Sequence, residues 1–198
     1  MCLLLESICV KDGKVRNLAF HQERMDRSRQ ILFHANDKCL LSDHLKAISI
    51  PSHGTFKIRV LYNEEITHIE CHPYTIRLQE SFQLIEDAAL SYAMKYVDRS
   101  AFDEWQQRYP GKEIIITQNG FITDATYANL AFYDGKDWLT PQTFLLEGTM
   151  RQSLIEKGML KPCSIRREDL QYYKGFKLIN AMMSLEESPF YAIGQIVV

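Results

Sequence analysis

The stretch EIIITQNGFITDATYANLAFYDGKDWLTP, residues 113–141, decides the fold that we predict for this chain. An apolar strand, Glu113–Gln118, is followed by Asn119-Gly120 and then by a second β-rich run. Asn-Gly between two such runs favours a type I′ hairpin, because both central residues of that turn adopt a positive φ. The returning strands carry an acid, Asp124, and an amide, Asn129. An acid among Ile, Thr, Ala and Tyr either faces solvent or is buried against a partner.

The composition is that of a globular chain of 198 residues, 46% hydrophobic and 24% charged, long enough for one large domain or two small ones. The formal net charge of −2 gives no reason to expect nucleic acid as a partner. The apolar runs are short and interrupted, which predicts no transmembrane helix. Five scattered cysteines without a CxxC pair, and six histidines without ligand spacing, predict a cytoplasmic protein with no disulfide framework and no metal site.

The first half of the chain, residues 1–80, predicts a small α/β domain. Phe20–His34 has the pattern of an amphipathic helix, with Phe20, Met25, Ile31 and Leu32 roughly on one apolar face. Around this helix the pattern predicts four strands and a second, shorter helix: Leu3–Val10, Val15–Ala19, Thr55–Tyr62, Ile66–His72 and Ser42–Ile48.

The second half, residues 81–198, predicts a larger, β-rich domain. The strands of the quoted stretch lie between a helix of about Arg99–Tyr109 and a helix that starts near Gly148–Met150. No Pro/Gly linker marks the boundary, which we place near Gln79–Glu86. The predicted fold class is therefore α+β, in two domains.

A pyridoxal phosphate (PLP) site is one arrangement that the chemically active residues could form. Such a site needs a lysine amine, an acid beside the pyridine nitrogen and a phosphate-binding helix N-terminus reinforced by an arginine. The candidates are Lys95, Asp124, Arg24 and the helix start Gly148-Thr149-Met150-Arg151. Taken singly, each is more often an ordinary surface feature, so the interpretation depends on their order along the chain.

In that order the sequence resembles the class IV aminotransferases, the fold-type IV PLP enzymes, over nearly the whole chain. The similar segments are LESICVKDGKV (5–15), HQERM (21–25), Lys95, Thr123-Asp124 with Asn129, the G…TP of Gly135–Pro141, LEGTMR (146–151) and NAMM (180–183). The resemblance implies a D-amino-acid aminotransferase-like architecture of two domains with the cofactor in the cleft between them. It also implies a homodimer and a small-molecule amino substrate.

The resemblance assigns a role to each matching residue. Lys95 is implied to bond the cofactor and to act as the catalytic base, and Asp124 is implied to contact the ring nitrogen, directly or through water. The other implied cofactor-binding residues are Arg24, Asn129, Gly148, Thr149, Met150, Ala181 and Met182.

Lys57, Arg59 and Met183 are implied to bind the substrate. Residues i and i+2 of a strand share a face, so Lys57 and Arg59 could together bind a dicarboxylate. The alternative is that both lie on a solvated strand face.

Within the family, three segments are most similar to 4-amino-4-deoxychorismate lyase. GTMRQ has Met where aminotransferases carry a phosphate-binding Thr, NAMM is similar to the lyase's NALM, and KYVDR is close to its K-x-x-N-R. We therefore expect a lyase of folate biosynthesis that releases pyruvate and 4-aminobenzoate. The alternatives are an aminotransferase acting on branched-chain or D-amino acids, and a relative that binds PLP without turnover.

Overall fold

The structure is a computed structural model that describes residues 2–197. The chain forms two compact units, the first made of the residues up to Thr75 with Met94–Asp98, and the second of Ile76–Ala93 with the chain from Arg99 onward. The domain limits 1–80 and 81–198 stay a prediction, because compactness alone does not show that a unit folds by itself. Met1 and Val198, the outer ends of those predicted domains, lie outside the described residues.

The first unit is a four-stranded antiparallel sheet with two helices. Its elements are β1 (Leu4–Lys11), β2 (Lys14–Val15), α1 (Leu18–Phe33), α2 (Leu41–Lys46), β3 (Thr55–Tyr62) and β4 (Ile66–Pro73). The strand order is β2-β1-β3-β4. β1 and β3 pair along their whole length, from Leu4 opposite Tyr62 to Lys11 opposite Thr55.

The predicted strand Val15–Ala19 is wrong beyond Val15, because α1 already begins at Leu18. Asn17 just before the helix has a φ of 53°. Asn tolerates this left-handed conformation better than most residues do, and it turns the chain out of the strand direction.

The helix-facing side of this sheet is buried. Ile8 of β1, together with Ile58 and Val60 of β3, packs in one core with Met25 of α1. The apolar face predicted for α1 is wrong at Ile31, which is 54% exposed. The buried face of α1 is mostly polar and consists of His21, Arg24, Met25, Ser28 and Arg29. Charged residues can occupy that face because they find partners inside the unit.

A segment that follows much later in the chain, Met94–Asp98, adds to the sheet of the first unit. The Leu5 amide donates to the Lys95 carbonyl at 2.9 Å, and the Val97 amide donates to the Leu3 carbonyl at 3.0 Å. Between these bonds Leu4 lies opposite Tyr96 in antiparallel orientation. Lys95 is therefore held at the edge of β1 by backbone hydrogen bonds.

The second unit is built on an eight-stranded mixed sheet. Its elements are β5 (Phe82–Glu86), α3 (Ser100–Arg108), β6 (Glu113–Gln118), β7 (Phe121–Ala125), β8 (Asn129–Tyr133), β9 (Trp138–Pro141), α4 (Thr149–Glu156), β10 (Lys161–Cys163), β11 (Gly175–Ile179) and β12 (Ile196–Val197). The strand order is β10-β9-β8-β7-β6-β5-β12, with β11 paired to β8. The predicted α+β class, with a small and a larger sheet, is confirmed.

The predicted hairpin is also confirmed. Asn119 and Gly120 have φ values of 53° and 78° between β6 and β7, as a type I′ turn requires. The next turn pairs β7 with β8 and places Asp124 directly opposite Asn129. The turn chemistry thus brings the acid and the amide side by side.

Candidate functional site

Asp124 of β7 is the centre of a buried hydrogen-bond network in the second unit. Its Oδ1 accepts from Asn129 Nδ2 at 2.7 Å, and its Oδ2 accepts from the Leu145 and Leu146 amides at 2.9 Å each. Asn129 Nδ2 also donates to the Leu146 carbonyl at 3.0 Å. The acid therefore fixes the chain just before α4 as well as its neighbouring strand.

The residue Asp124 is 4% exposed, and the burial of its carboxyl group raises the pKa to about 6 against the opposing effect of its hydrogen bonds. A carboxylate oxygen can accept two hydrogen bonds. Oδ2 has two, whereas Oδ1 has one within the described part of the chain. Asp124 can therefore still accept a hydrogen bond from a cationic N–H group, and such a partner would favour its ionised form.

Gly148 lies at the N-terminus of α4, against Asn129. A Cβ atom at this position would lie 1.9 Å from Asn129 Oδ1, so only glycine fits. Gly148 is the N-cap residue of this helix and, being a glycine, offers no side chain to cap it. Thr149 and Met150 are buried, and Met150 packs in the core around Leu154 and Ile179. For Met150 this leaves the backbone, not the side chain, as the group that could bind a phosphate.

Arg151, the last residue of the predicted phosphate-binding segment 148–151, lies one residue further along α4. Its Nη2 donates to the Pro141 carbonyl at 3.0 Å, and its guanidinium lies over the Phe144 ring at 4.5 Å. Its Nε is buried and has no hydrogen-bond partner among the described residues. Burial lowers the pKa of Arg151, while the nearby Asp124 opposes this effect.

The turn at residues 180–183 is organised by Asn180. Its Oδ1 accepts from the Met182 and Met183 amides at 2.8 and 3.1 Å, and its Nδ2 donates to the Tyr127 carbonyl at 3.3 Å. Met182 and Met183 are buried, and Ala181 is half-buried. The amides of Met182 and Met183 thus already have acceptors within the turn, so this segment is preformed.

In the first unit, Arg24 is bound to an acid that we did not single out from the sequence. Arg24 Nε and Nη2 donate to the two carboxylate oxygens of Glu6 at 2.8 and 2.6 Å, and His21 Nδ1 lies 2.6 Å from Glu6 Oε2. Glu6 is fully buried, which by itself disfavours its charge, but Arg24 and His21 outweigh this and hold its pKa at about 2. The network fixes the orientation of the Arg24 guanidinium.

Lys95, Lys57 and Arg59 share the other face of the first unit's sheet. Met94 and Tyr96 pack against the core beneath α1, so strand alternation directs the intervening Lys95 to the opposite side. Lys57 and Arg59 alternate in the same way with the buried Ile58 and Val60. All three cations are half-buried.

The two predicted substrate-binding cations differ in their surroundings. Lys57 Nζ lies over the Tyr74 ring, 5.7 Å from its centroid. Arg59 Nη1 donates to Glu70 Oε1 on the neighbouring strand at 2.5 Å. The structure therefore brings Lys57, Arg59 and Lys95 to one sheet face, and brings Asp124, Asn129 and Gly148 together in the second unit.

In residues 2–197, no group of three or more His, Cys, Asp or Glu side chains is placed to hold a metal ion. Over the same range, no helix has the length and apolar character needed to cross a membrane.

Comparison of this chain with known proteins identifies its family. The family model of the class IV amino-transferases matches residues 90–185. An uncharacterized Haemophilus influenzae protein is 33% identical over 186 residues, which are 92% of this chain and 98% of that protein. The chain belongs to the class IV aminotransferases. A crystal structure of a protein from Haemophilus somnus, provisionally described as a 4-amino-4-deoxychorismate lyase, is similar to this class IV aminotransferase, with 29% sequence identity and a TM-score of 0.83. The similarity extends over 93% of this chain and 98% of that chain.

Two further relatives add detail to the family assignment. A Schizosaccharomyces pombe protein provisionally named an aminodeoxychorismate lyase is 33% identical over 103 residues, 48% of this chain and 44% of that protein. The PLP-bound form of a hypothetical aminotransferase from Mycobacterium tuberculosis is 16% identical, with a TM-score of 0.75 over 98% of this chain and 81% of that one. At that identity the likeness is one of fold.

The residues present fit the cofactor of this family. Asp124 is a buried acid whose Oδ1 accepts one hydrogen bond within the described chain and can accept a second. The start of α4 has a glycine as its N-cap residue, held against Asn129. An anion is well suited to such a helix start, and a ring cation to such an acid.

Proposed function

We propose that this class IV aminotransferase binds PLP and is a 4-amino-4-deoxychorismate lyase, which releases pyruvate and 4-aminobenzoate. The observation that carries the proposal is the buried network of Asp124. It joins the acid proposed for the ring nitrogen to the helix start proposed for the phosphate. The resemblance of the lysine, helix-start and closing-turn segments to the lyase, together with the two provisionally named relatives, supports the choice of reaction.

When bound, PLP supplies an aldehyde that bonds an amine and a ring that withdraws electrons from the substrate's α-carbon. In this proposal ionised Asp124 keeps a proton on the ring nitrogen. The backbone of Gly148, Thr149 and Met150 binds the phosphate together with Arg24, which Glu6 holds in place. Lys95 Nζ removes the proton from the substrate's α-carbon and then delivers a proton to the departing pyruvate.

The rest of the proposed site binds or encloses the substrate. Lys57, Arg59 and Met183 contact the substrate, and Ala181 and Met182 line the cofactor. A homodimer in the cytoplasm and a small-molecule amino substrate complete the proposal.

The absorption spectrum of the purified protein tests the cofactor. We expect wild-type protein to show a yellow band that borohydride bleaches, and Lys95→Ala to lack it because the amine that bonds the cofactor is gone. Lys46→Ala, which removes an exposed lysine paired with Asp43, should keep the band. A colourless wild-type protein that takes up no added PLP would contradict the proposal.

The reaction is tested by pyruvate release from aminodeoxychorismate with no 2-oxo acid added. A lyase needs no amino-group acceptor, so wild-type protein should turn over and Lys95→Ala should not. Turnover that requires a 2-oxo acid would instead identify an aminotransferase. That result would leave the PLP proposal standing and overturn the lyase reaction.

A further inference from the structure

Arg151 of α4 is a buried cation with few hydrogen bonds. The residue is 5% exposed, and its guanidinium makes one hydrogen bond within the described chain, from Nη2 to the Pro141 carbonyl at 3.0 Å. A guanidinium has five N–H donors, and the buried Nε of Arg151 has no partner among the described residues. A buried charge that is so incompletely bonded destabilises the fold unless an opposite charge lies near it.

The acid Asp124 and the cation Arg151 hold the same short segment, residues 141–146. Asp124 accepts hydrogen bonds from the last two amides of this segment, at 2.9 Å each. Arg151 bonds the Pro141 carbonyl and lies over the Phe144 ring at 4.5 Å. Both residues are buried, so solvent screens the attraction between the two charges less than it would at the surface.

This attraction acts without a hydrogen bond between the two side chains. The oxygens of Asp124 accept from Asn129 and from backbone amides, and within residues 2–197 Arg151 is not among their donors. In the first unit, by contrast, Arg24 donates to both oxygens of Glu6. A direct ion pair of that kind would occupy the position on Oδ1 that we propose for the ring nitrogen. Arg151 stabilises the negative charge and leaves that position open.

The charges of the two residues favour each other's ionised form. Burial raises the pKa of Asp124 to about 6, whereas its hydrogen bonds and the charge of Arg151 lower the pKa. Burial lowers the pKa of Arg151, whereas the charges of Asp124 and Glu147 raise it. Because burial already favours a protonated Asp124, loss of the Arg151 charge would shift the balance further toward the protonated acid.

We propose that Arg151 is a positioning residue whose buried charge keeps Asp124 ionised, so that Asp124 holds the proton on the ring nitrogen of PLP. The inference rests on the proposed function, in which that nitrogen lies against Asp124. If Asp124 kept the proton on its own oxygen, the ring would withdraw electrons from the substrate less strongly. Arg151 thus acts on the cofactor only through Asp124.

Titration of Asp124 in the cofactor-free protein tests the link between the two residues. The carbon-13 signal of the Asp124 carboxyl, assigned with Asp124→Asn, is followed by NMR as the pH is raised in wild-type, Arg151→Gln and Arg151→Lys proteins. We expect the midpoint to lie about one pH unit higher in Arg151→Gln, as after the loss of one nearby opposite charge. Arg151→Lys keeps the charge and should stay near the wild type, whereas a merely structural role would change both variants alike.

Arg166→Gln is the matched control for this titration. Arg166 also lies over an aromatic ring of the second unit, 4.4 Å from the centroid of Phe121, but it is exposed. Its loss should leave the midpoint of Asp124 unchanged. Arg151→Met, which places an uncharged apolar side chain in the buried position, replaces Arg151→Gln if that variant does not fold. Equal midpoints in the wild type and the uncharged variant would overturn the proposal, as would an equally raised midpoint in Arg151→Lys.

The PLP-loaded protein tests the consequence for the cofactor. Nitrogen-15 NMR with ring-labelled PLP distinguishes a protonated from an unprotonated ring nitrogen. At neutral pH we expect a protonated ring in the wild type and a larger unprotonated fraction in Arg151→Gln. A ring signal that is the same in both proteins would contradict the proposal.

The two measurements separate this proposal from the proposed function. Failure of the wild-type protein to take up PLP is seen in its absorption spectrum and counts against the proposed function. The midpoint of Asp124 is measured without PLP, so it still decides whether Arg151 acts on Asp124. Equal midpoints in a protein that does bind PLP would remove the inference about Arg151 and leave the proposed function standing.

Discussion

Glu113, at the start of β6, is a buried carboxyl that the sequence did not mark for a role. It is 4% exposed, and its Oε1 accepts from the Thr126 amide at 2.8 Å and from the Thr126 hydroxyl at 2.7 Å. Burial outweighs these bonds and raises its pKa to about 7 from an ordinary 4.5. The fold therefore favours the protonated form of Glu113.

This preference predicts a pH dependence of stability. Because the pKa is higher in the folded state, the stabilising effect is complete below pH 4.5 and is lost as the pH rises through 7. Between pH 5 and pH 8 this one group should lower the free energy of unfolding of the cofactor-free protein by about 2 kcal/mol.

Glu113→Gln isolates this effect, since a glutamine carbonyl can accept both bonds from Thr126 and does not titrate. Urea unfolding at the two pH values should show a smaller fall for the variant than for the wild type. Asp124, whose pKa is also raised, contributes equally to both proteins. Identical falls in the two proteins would show that Glu113 is not the titrating group.

Individual site residues could be predicted where the chain itself brings them together. Asp124 and Asn129 are joined by a short turn, so sequence spacing already indicates their proximity. Glu6 and Glu70 could not be found in this way. Their partners, Arg24 and Arg59, are specified by the packing of α1 on β1 and by the register of β3 with β4, neither of which a linear pattern contains.

Among the elements, α4 is the one whose start most strictly requires a particular residue, the glycine at position 148. The Asn129 side chain that faces Gly148 is fixed by its bonds to Asp124 and to the Leu146 carbonyl, so it cannot move to admit a methyl group. Gly148→Ala should therefore lower the free energy of unfolding by about 1–3 kcal/mol, as overpacking of a buried site does. The variant should also bind PLP more weakly.

Urea unfolding and PLP titration check this prediction. Gly194→Ala is the matched control in the same unit, because a methyl group there meets nothing within 4 Å. Equal stability and PLP affinity for Gly148→Ala and the wild type would show that the helix start tolerates a side chain.

The elements themselves were largely predictable, and their faces were less so. β3 and β4 follow the strand pattern, and the Asn-Gly turn identifies the hairpin through its positive φ values. The buried face of α1 was not predicted correctly, because the prediction placed the apolar residues of the helix on that face. Arg24 and Arg29 are buried there instead, each paired with an acidic residue. An ion pair between distant residues leaves no periodic signal in the sequence.

For the whole molecule, the residues proposed for PLP are divided between the two units: Arg24 and Lys95 belong to the first, Asp124 and Gly148 to the second. Bound PLP stabilises whatever it contacts in the folded state, by about 4 kcal/mol at a thousand times its dissociation constant. Hydrogen exchange should therefore slow in β1 and in β7 together when PLP is added. Pyridoxal, which lacks the phosphate, should protect both less, and protection confined to one unit would contradict the proposed residues.

The pairing of residues 94–97 with β1 has a consequence for synthesis on the ribosome. Leu5 is synthesised some ninety positions before its partner Lys95, and β5 of the other unit is made in between. Until then that edge of β1 exposes unpaired backbone groups in the nascent chain, where another strand could bind them. The first unit thus completes its sheet by adding the very strand that carries the lysine, so a chain released early would lack both.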